Sequence, residues 1–205
     1  MPTFTQLFLV RHGQSTCNRR GVLCGAACEA ELTGEGRRTA ANVAREAKNS
    51  PPARIIASPM VRARQTAAPL AEAFRVTVEL DPAWREIEYG SWEGRDPERL
   101  ASEQAEVWAG FRKTPAAVGP PGGETVAAVA ARVSGALDAL RGSPSPVWIV
   151  SHKTTLRVAA CLLAGIPLDD YRRRISMETG QIIPVTLGPP DHLDGAITAP
   201  QVLPP

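Results

Sequence analysis

The stretch Leu7-Phe8-Leu9-Val10-Arg11-His12-Gly13 decides the fold. Its apolar run is of strand length and apolar on both faces, as in a buried strand of a parallel sheet. It stops at Arg11 and His12, so a charged and a titratable side chain follow the carboxyl end of the strand. The pattern recurs at Val147-Trp148-Ile149-Val150-Ser151-His152, and Arg54-Ile55-Ile56-Ala57 is a shorter run closing on Ser58-Pro59. Between these runs lie helical signals. Thr33 is placed to cap a helix through Ala40, Val43 and Ala47. An alanine-rich helix is expected from Val61 to Phe74. An amphipathic helix begins at Glu124 and runs through Val129, Val133, Leu137 and Leu140. Another spans Thr155 to Ala164 and closes on Gly165. Val76 to Leu80 and Gln181 to Leu187 read as further strands. The segment from Trp84 to Pro121 is irregular, with a helix expected around Glu98 to Phe111, and Gly119-Pro120-Pro121-Gly122-Gly123 is a breaker. Alternation of this kind predicts an α/β fold, a three-layer α/β/α sandwich with a mostly parallel central sheet. Residues 1–187 read as a single domain and 188–205 as a Pro-rich C-terminal tail.

The chain has 205 residues, 43% of them hydrophobic, and a formal net charge of +2. Its length suits one domain with a substantial core. The near-neutral charge gives no global argument for a nucleic-acid or membrane partner, and neither is expected; no apolar run is long enough to span a bilayer. The N-terminus lacks the pattern of a signal peptide, so the expected compartment is the cytoplasm. A homo-oligomer is left open. Cys17, Cys24, Cys28 and Cys161 are the cysteines. Three fall in one loop-like stretch, but Cys24 and Cys28 are spaced more widely than a CxxC pair and no histidine is near. The expectation is free thiols and no metal.

In open α/β sheets ligands bind beyond the carboxyl ends of the strands. His12 and His152 are two of only three histidines in the chain, and both follow buried strands. One histidine so placed would be read as a structural residue; two in matched positions point to a shared site. Arg62 would stand at the start of the helix after Ser58-Pro59, where free N–H groups already favour an anion. Arg11 and Arg62 supply the forked donors that suit phosphate oxygens. The sequence offers no serine elbow, no P-loop and no acidic cluster for magnesium. A neutral histidine can attack phosphorus directly, and a carboxylic acid can protonate the leaving oxygen. Glu86 is the candidate acid, with Glu88, Glu93 and Glu98 competing on composition alone.

Taken in order, five segments resemble the histidine phosphatase superfamily, in the branch that includes cofactor-dependent phosphoglycerate mutase. They are Leu9-Val10-Arg11-His12-Gly13-Gln14-Ser15-Thr16-Cys17-Asn18, Leu32-Thr33-Gly34-Glu35-Gly36, Ala57 through Ala67 around Arg62, Arg85 through Gly94 around Glu86, and Val150-Ser151-His152. Pro121-Gly122-Gly123-Glu124-Thr125 is similar to a sixth. The resemblance implies that His12 is the phosphorylated nucleophile. It implies that Arg11, Arg62 and His152, the last protonated, bind the phosphoryl oxygens, and that Glu86 is the proton donor. Asn18 matches a polar contact near the phosphate, and Gln14, Ser15 and Gly25 lie where relatives contact substrate. It further implies a small phosphate monoester as substrate and no cofactor or metal.

The chain departs from that pattern in three places. Lys153 stands after the second histidine where relatives often carry glycine, and could reach an anionic substrate or point into solvent. The loop from Gly25 to Leu32 is one residue longer, with Glu31 where proline is common. Cys24 falls near the substrate mouth. Two other functions compete with a phosphatase. A mutase must shield its phosphohistidine from water, for which the stretch from Trp84 to Pro121 is modest in length. A non-catalytic phosphate-binding module usually lacks the nucleophile or the acid, and both are present here.

Overall fold

The apolar runs are strands, and the periodicity of their side chains divides the core in two. The structure, a computed structural model, describes residues 4–188. In chain order the elements are β1 (Thr5–Arg11), α1 (Thr16–Arg20), α2 (Gly34–Glu46), β2 (Arg54–Ala57), α3 (Val61–Phe74), β3 (Val78–Leu80), α4 (Pro97–Glu103), α5 (Ala105–Lys113), α6 (Val126–Asp138), β4 (Val147–Ser151), α7 (Lys153–Ala164), α8 (Tyr171–Arg174) and β5 (Ile182–Leu187). The five-stranded sheet has the order β3-β2-β4-β1-β5. All neighbours are parallel except β5, which runs antiparallel to β1. Leu7, Leu9, Val147 and Ile149 enter one hydrophobic cluster with α6 and α7. Phe8, Val10, Trp148 and Val150 enter the other, with α2 and α3. This two-residue period is that of a strand covered by helices on both faces, and the expected three-layer α/β/α arrangement is present. Phe8 stacks on Trp148 with ring centroids 4.5 Å apart. Pro184, which cannot donate to a ladder, lies in the edge strand β5, where proline is tolerated.

α6 is two residues shorter at each end than expected, with Thr125 as its N-cap, and three other elements differ for identifiable reasons. β3 starts at Val78 rather than Val76, because the Val76 N–H turns back to the Ala71 carbonyl at the end of α3. The single helix expected around Glu98 to Phe111 is two, α4 and α5. The break at Gln104 lets its side-chain carbonyl accept from the Trp92 indole N–H at 2.7 Å. Finally, α7 begins at Lys153, two residues earlier than expected, although His152 provides no side-chain cap. Its cap comes from outside the helix, as described below. Apart from Gly188, the tail expected at 188–205 lies outside the described residues.

Candidate active site

The register of the central strands builds the site. Arg11 pairs with Ser151 across β1 and β4, so the residues that follow, His12 and His152, emerge side by side. Their ring centroids are 5.1 Å apart. The His12 N–H donates to the Ser151 carbonyl at 2.9 Å and the Ser58 N–H to the Val150 carbonyl at 3.0 Å, so three strand ends are tied together. Gly13 is required by a close approach. A Cβ there would stand 2.4 Å from the Gly36 carbonyl oxygen, and one on Gly36 would stand 2.1 Å from the Gln14 oxygen. That contact explains why the Thr33-Gly34-Glu35-Gly36 turn accompanies the histidine loop.

The two histidines are both neutral but are opposite tautomers. His12 Nδ1 lies 2.7 Å from the Gly13 carbonyl. A carbonyl only accepts, so Nδ1 carries the proton and Nε2 keeps its lone pair. Burial, reinforced by Arg62 and Arg11, holds its pKa well below the ordinary histidine value, so the ring is neutral. His152 Nδ1 accepts from Arg62 Nε at 3.2 Å, and its Nε2 is 2.7 Å from Ser58 Oγ. An arginine cannot accept, so His152 is also neutral at Nδ1. Burial, then Arg62, His12 and Arg11, lower its pKa as well. The expectation of a protonated His152 is therefore corrected. The ring is fully buried and is not among the residues bordering the cavity; its contact is with Arg62.

Arg62, on the first turn of α3, is held on every side. Its Nη1 donates to the Cys28 carbonyl at 2.9 Å, and its Nη2 to those of Cys24 at 3.0 Å and Gly25 at 3.2 Å. Thr66 Oγ1 donates to the Arg62 carbonyl at 2.7 Å and accepts from the Gly13 N–H at 3.0 Å, joining α3 to the histidine loop. Arg11 donates through Nη1 to the Met177 carbonyl at 2.8 Å, while its buried Nε has no partner.

Glu86 supplies the missing cap of α7. Its Oε2 accepts from the Thr154 N–H at 3.1 Å, and its Oε1 from the N–H groups of Ile87 at 3.0 Å and Thr155 at 3.3 Å. The loop is clamped from behind by Arg132, which donates to the carbonyls of Ala83, Arg85 and Glu86 and to the Glu124 carboxylate. Burial alone would raise the Glu124 carboxyl, but Arg132 and the Glu88 N–H outweigh it and hold it low. Geometry also separates the competing glutamates. Glu86 is buried against the cavity, whereas Glu88 is partly exposed and pairs with Arg85 at 2.8 Å. Glu93 braces the Gly25 and Tyr89 N–H groups, and Glu98 is exposed on α4.

These groups meet in a cavity of about 500 Å³. Arg11, His12, Gln14, Asn18, Arg62, Glu86 and Lys153 border it. Lys153 is half-buried, so of the two expectations for it the structure has the one turned inward. Ser15 does not border it. It is buried and caps α1, its Oγ accepting from the Asn18 N–H at 3.2 Å while Asn18 Oδ1 accepts from the Ser15 N–H at 3.0 Å. The side-chain NH₂ of Asn18 is thereby left as the end that can face an anion. Gly25 acts at one remove, through its bond to Arg62. Sequence reasoning missed the far wall: Arg112, Arg157 and Arg172, with Leu23, Trp108 and Phe111. Arg157 had a signal, since it lies one helical turn after Lys153 and shares its face of α7. Arg172 lies over the Phe111 ring at 4.2 Å.

Comparison with known proteins decides the family. The model of the histidine phosphatase superfamily, branch 1, matches residues 7–189. The chain belongs to that superfamily. It is 33% identical over 171 residues to a probable phosphoglycerate mutase GpmB of Erwinia tasmaniensis, covering 82% of this chain and 79% of that protein. It is 31% identical over 168 residues to phosphoserine phosphatase 1 of Hydrogenobacter thermophilus, covering 81% and 79%. Among solved structures, a mycobacterial glucosyl-3-phosphoglycerate phosphatase is 26% identical with a TM-score of 0.80, over 88% of this chain and 92% of that one. Bacillus stearothermophilus YhfR has the same fold, with a TM-score of 0.86 at 23% identity over 98% of each chain.

Proposed function

We propose that this histidine phosphatase hydrolyses small phosphate monoesters through a phosphohistidine on His12, without a metal ion. The observation that carries this reading is the state of His12: neutral, with Nδ1 tied to a carbonyl and Nε2 free at the wall of a cation-lined cavity. His12 Nε2 attacks phosphorus as the ester oxygen departs. Arg62 and Arg11, which both border the cavity, take up charge on the phosphoryl oxygens. His152 and Ser58 keep Arg62 in place from behind. Glu86 protonates the leaving oxygen and then takes a proton from the water that attacks the phosphohistidine, releasing inorganic phosphate. Oε2, which has the single Thr154 N–H contact, is the oxygen with room to carry that proton. Freedom from metal follows from charge. Glu86 and Glu178 are the only acids among the described lining residues, against six arginines and lysines that supply the positive field a metal would otherwise provide.

The same reading extends to the substrate class. Arg157 and Lys153, one turn apart on α7, both border the cavity away from His12 and add two positive charges to its wall. The substrate therefore carries a second anionic group, bound by Arg157 and Lys153 while the phosphoryl group sits at His12. The relative named as a phosphoserine phosphatase supports hydrolysis.

The test is rapid-quench labelling in alkaline denaturant, where phosphohistidine survives, with loss of the label on later acid treatment as its signature. His12→Ala should lose acid-labile phosphorylation and slow turnover by about 10⁴ to 10⁶, the scale of losing a covalent nucleophile. Near-normal turnover in that variant would overturn the covalent route. In wild type, a label that passes to water supports the hydrolase, and one that returns to an isomeric product supports a mutase.

A further inference from the structure

We propose that Cys17, Cys24 and Cys28 form a binding site for a thiophilic divalent ion of the zinc–cadmium type, and that filling it disables the phosphate site beside it. Cys17 lies in α1, just past the histidine loop, and Cys24 and Cys28 in the turn that follows. In sequence the three look unrelated, with six and three residues between them. In the fold their Sγ atoms all lie within 4.8 Å of one another, and those of Cys17 and Cys28 are 3.3 Å apart. Metal–sulfur bonds of about 2.3 Å in a tetrahedral site place sulfurs about 3.8 Å apart. Side-chain rotations with small backbone adjustment therefore suffice to close three ligands around one ion. Cys17 is buried and the other two are half-buried, which leaves an approach from solvent and a fourth position for water.

The alternative use of neighbouring thiols is a disulfide, and the surroundings disfavour it. Burial raises the Cys24 and Cys28 thiols above the ordinary cysteine value, and Arg62 only partly offsets this. Protonated thiols react slowly with peroxides. A metal ion instead displaces the protons itself. The balanced step is three thiols plus one divalent ion giving a tris-thiolate complex of charge −1 and three protons. The guanidinium of Arg62 stands next to this complex and compensates its charge.

The same turn explains the coupling. The carbonyls of Cys24 and Cys28, two of the three ligand residues, hold the Nη atoms of Arg62. Drawing the sulfurs onto an ion moves that turn and with it the arginine that grips the phosphoryl group. Cys24 also borders the cavity. The ion is thus an inhibitor placed next to the site, not a part of the chemistry. The binding half of the proposal is independent of the phosphatase reading, and only the inhibitory half rests on it.

Reduced, chelator-treated full-length protein is titrated with Cd²⁺. The expected result is a thiolate-to-cadmium charge-transfer band saturating near one equivalent, with release of about three protons per ion. Hydrolysis of p-nitrophenyl phosphate should fall by roughly tenfold to a hundredfold, as for a small displacement of a positioning group, and return with EDTA. Cys28→Ser and, separately, Cys24→Ser should lose the band and the sensitivity. Cys161→Ala, whose cysteine is buried elsewhere in α7, should keep both. Thermal melts identify a variant that fails to fold, and the other then carries the test. Absence of the band at one equivalent overturns the site. A full band with unchanged hydrolysis overturns the coupling, as does equal inhibition of folded Cys28→Ser and Cys24→Ser, which would put the inhibitory ion elsewhere. Absence of any phosphatase activity before metal is added counts against the proposed function alone, because the band and the proton count remain readable.

Discussion

The two ends of the cavity are built differently. At the strand ends almost every polar atom has a protein partner: His12 with Gly13, Arg62 with His152 and three carbonyls, Thr66 with Gly13 and Arg62, and Glu86 with the first turn of α7. At the far wall the cations are loosely committed. Arg157 Nε has no partner, and Arg172 rests on Phe111 with one bond to its carbonyl. On the proposed reading the strand end is preorganised for one chemical group, the transferring phosphoryl. The far wall presents charge on helices that can change side chains without disturbing the sheet. This contrast fits a superfamily in which relatives with different named substrates share one fold. It also predicts that substitutions at the two ends fail in different ways.

The largest effect expected beyond loss of the nucleophile is at Glu86. Glu86→Gln should slow alkyl phosphates by about 10² to 10⁴, the range for a general acid, and p-nitrophenyl phosphate far less, since that leaving group needs little protonation. Glu88→Gln should slow both alike and mildly, because Glu88 only pairs with Arg85 at the surface. Because Glu86 also caps α7, thermal melts must accompany the kinetics. Equal slowing of both substrates with a lowered Tm would make Glu86 a cap and not an acid.

At the far wall the expected loss is smaller and falls on KM. Arg157→Ala should raise KM about tenfold to a hundredfold for a monoester bearing a second carboxylate or phosphate, the worth of a hydrogen-bonded charge, with kcat nearly unchanged. A neutral monoester such as an alkyl phosphate should be unaffected. If both substrates lose equally, Arg157 serves the phosphoryl group, and the division between the two ends breaks down.

The strand end was legible in the sequence and the far wall was not, for a physical reason. A buried strand that stops at Arg11-His12 or Ser151-His152 joins a pattern of hydrophobicity to a position in the fold, because ligands gather at strand ends. Register did the rest, since pairing Arg11 with Ser151 must bring the two histidines together. Glu86 could not be told from Glu88 by alternation, because residues two apart on an extended segment face the same side, and only tertiary contact with Thr154 and Thr155 separates them. The start of α7 was misplaced for the same reason, its cap being that distant carboxylate. Ser15 was placed at the substrate by the family resemblance alone, whereas here its buried hydroxyl caps α1, a contact that the motif does not encode. Arg157 had only its one-turn spacing from Lys153 to announce it, while Arg172 and the Cys17-Cys24-Cys28 cluster depend on how helices and turns pack, and no spacing in the chain announces them.

Acid should weaken the strand end selectively. His12 and His152 have folded-state pKa values lowered by burial below the unfolded value of about 6.5. Above that value the ring is neutral in both states, and the contribution of each histidine to stability is fully present. As pH falls through 6.5, the unfolded chain takes up protons that the folded chain refuses, so stability is lost at up to about 1.4 kcal/mol per pH unit per histidine. Thermal melts between pH 7.5 and 5.5 (a range chosen about the unfolded value) should show this decline, and His152→Gln should reduce its slope. An unchanged slope in that variant would mean that His152 is not buried neutral.

The smallest expected effect tests Ser15, which the family resemblance placed at the substrate and the structure places at the cap of α1. Ser15→Ala removes the oxygen that accepts from the Asn18 N–H and the hydroxyl that donates to Asn18 Oδ1, leaving the Asn18 carboxamide held only by the Ser15 N–H. Loss of an N-cap serine costs about 1 kcal/mol of stability. Asn18 borders the cavity, so its loosening should bring a small rise in KM without a change in kcat. The decisive comparison is the double variant with Asn18→Ala. If Ser15 acts only by holding Asn18, then once Asn18 is gone its removal has nothing further to disturb in the site, and the KM of the double variant should equal that of Asn18→Ala alone. If Ser15 touches the substrate itself, the two effects on KM should multiply. Additive losses of free energy in binding would thus return Ser15 to the substrate side of the loop, while a non-additive pair keeps it as the residue that aims Asn18.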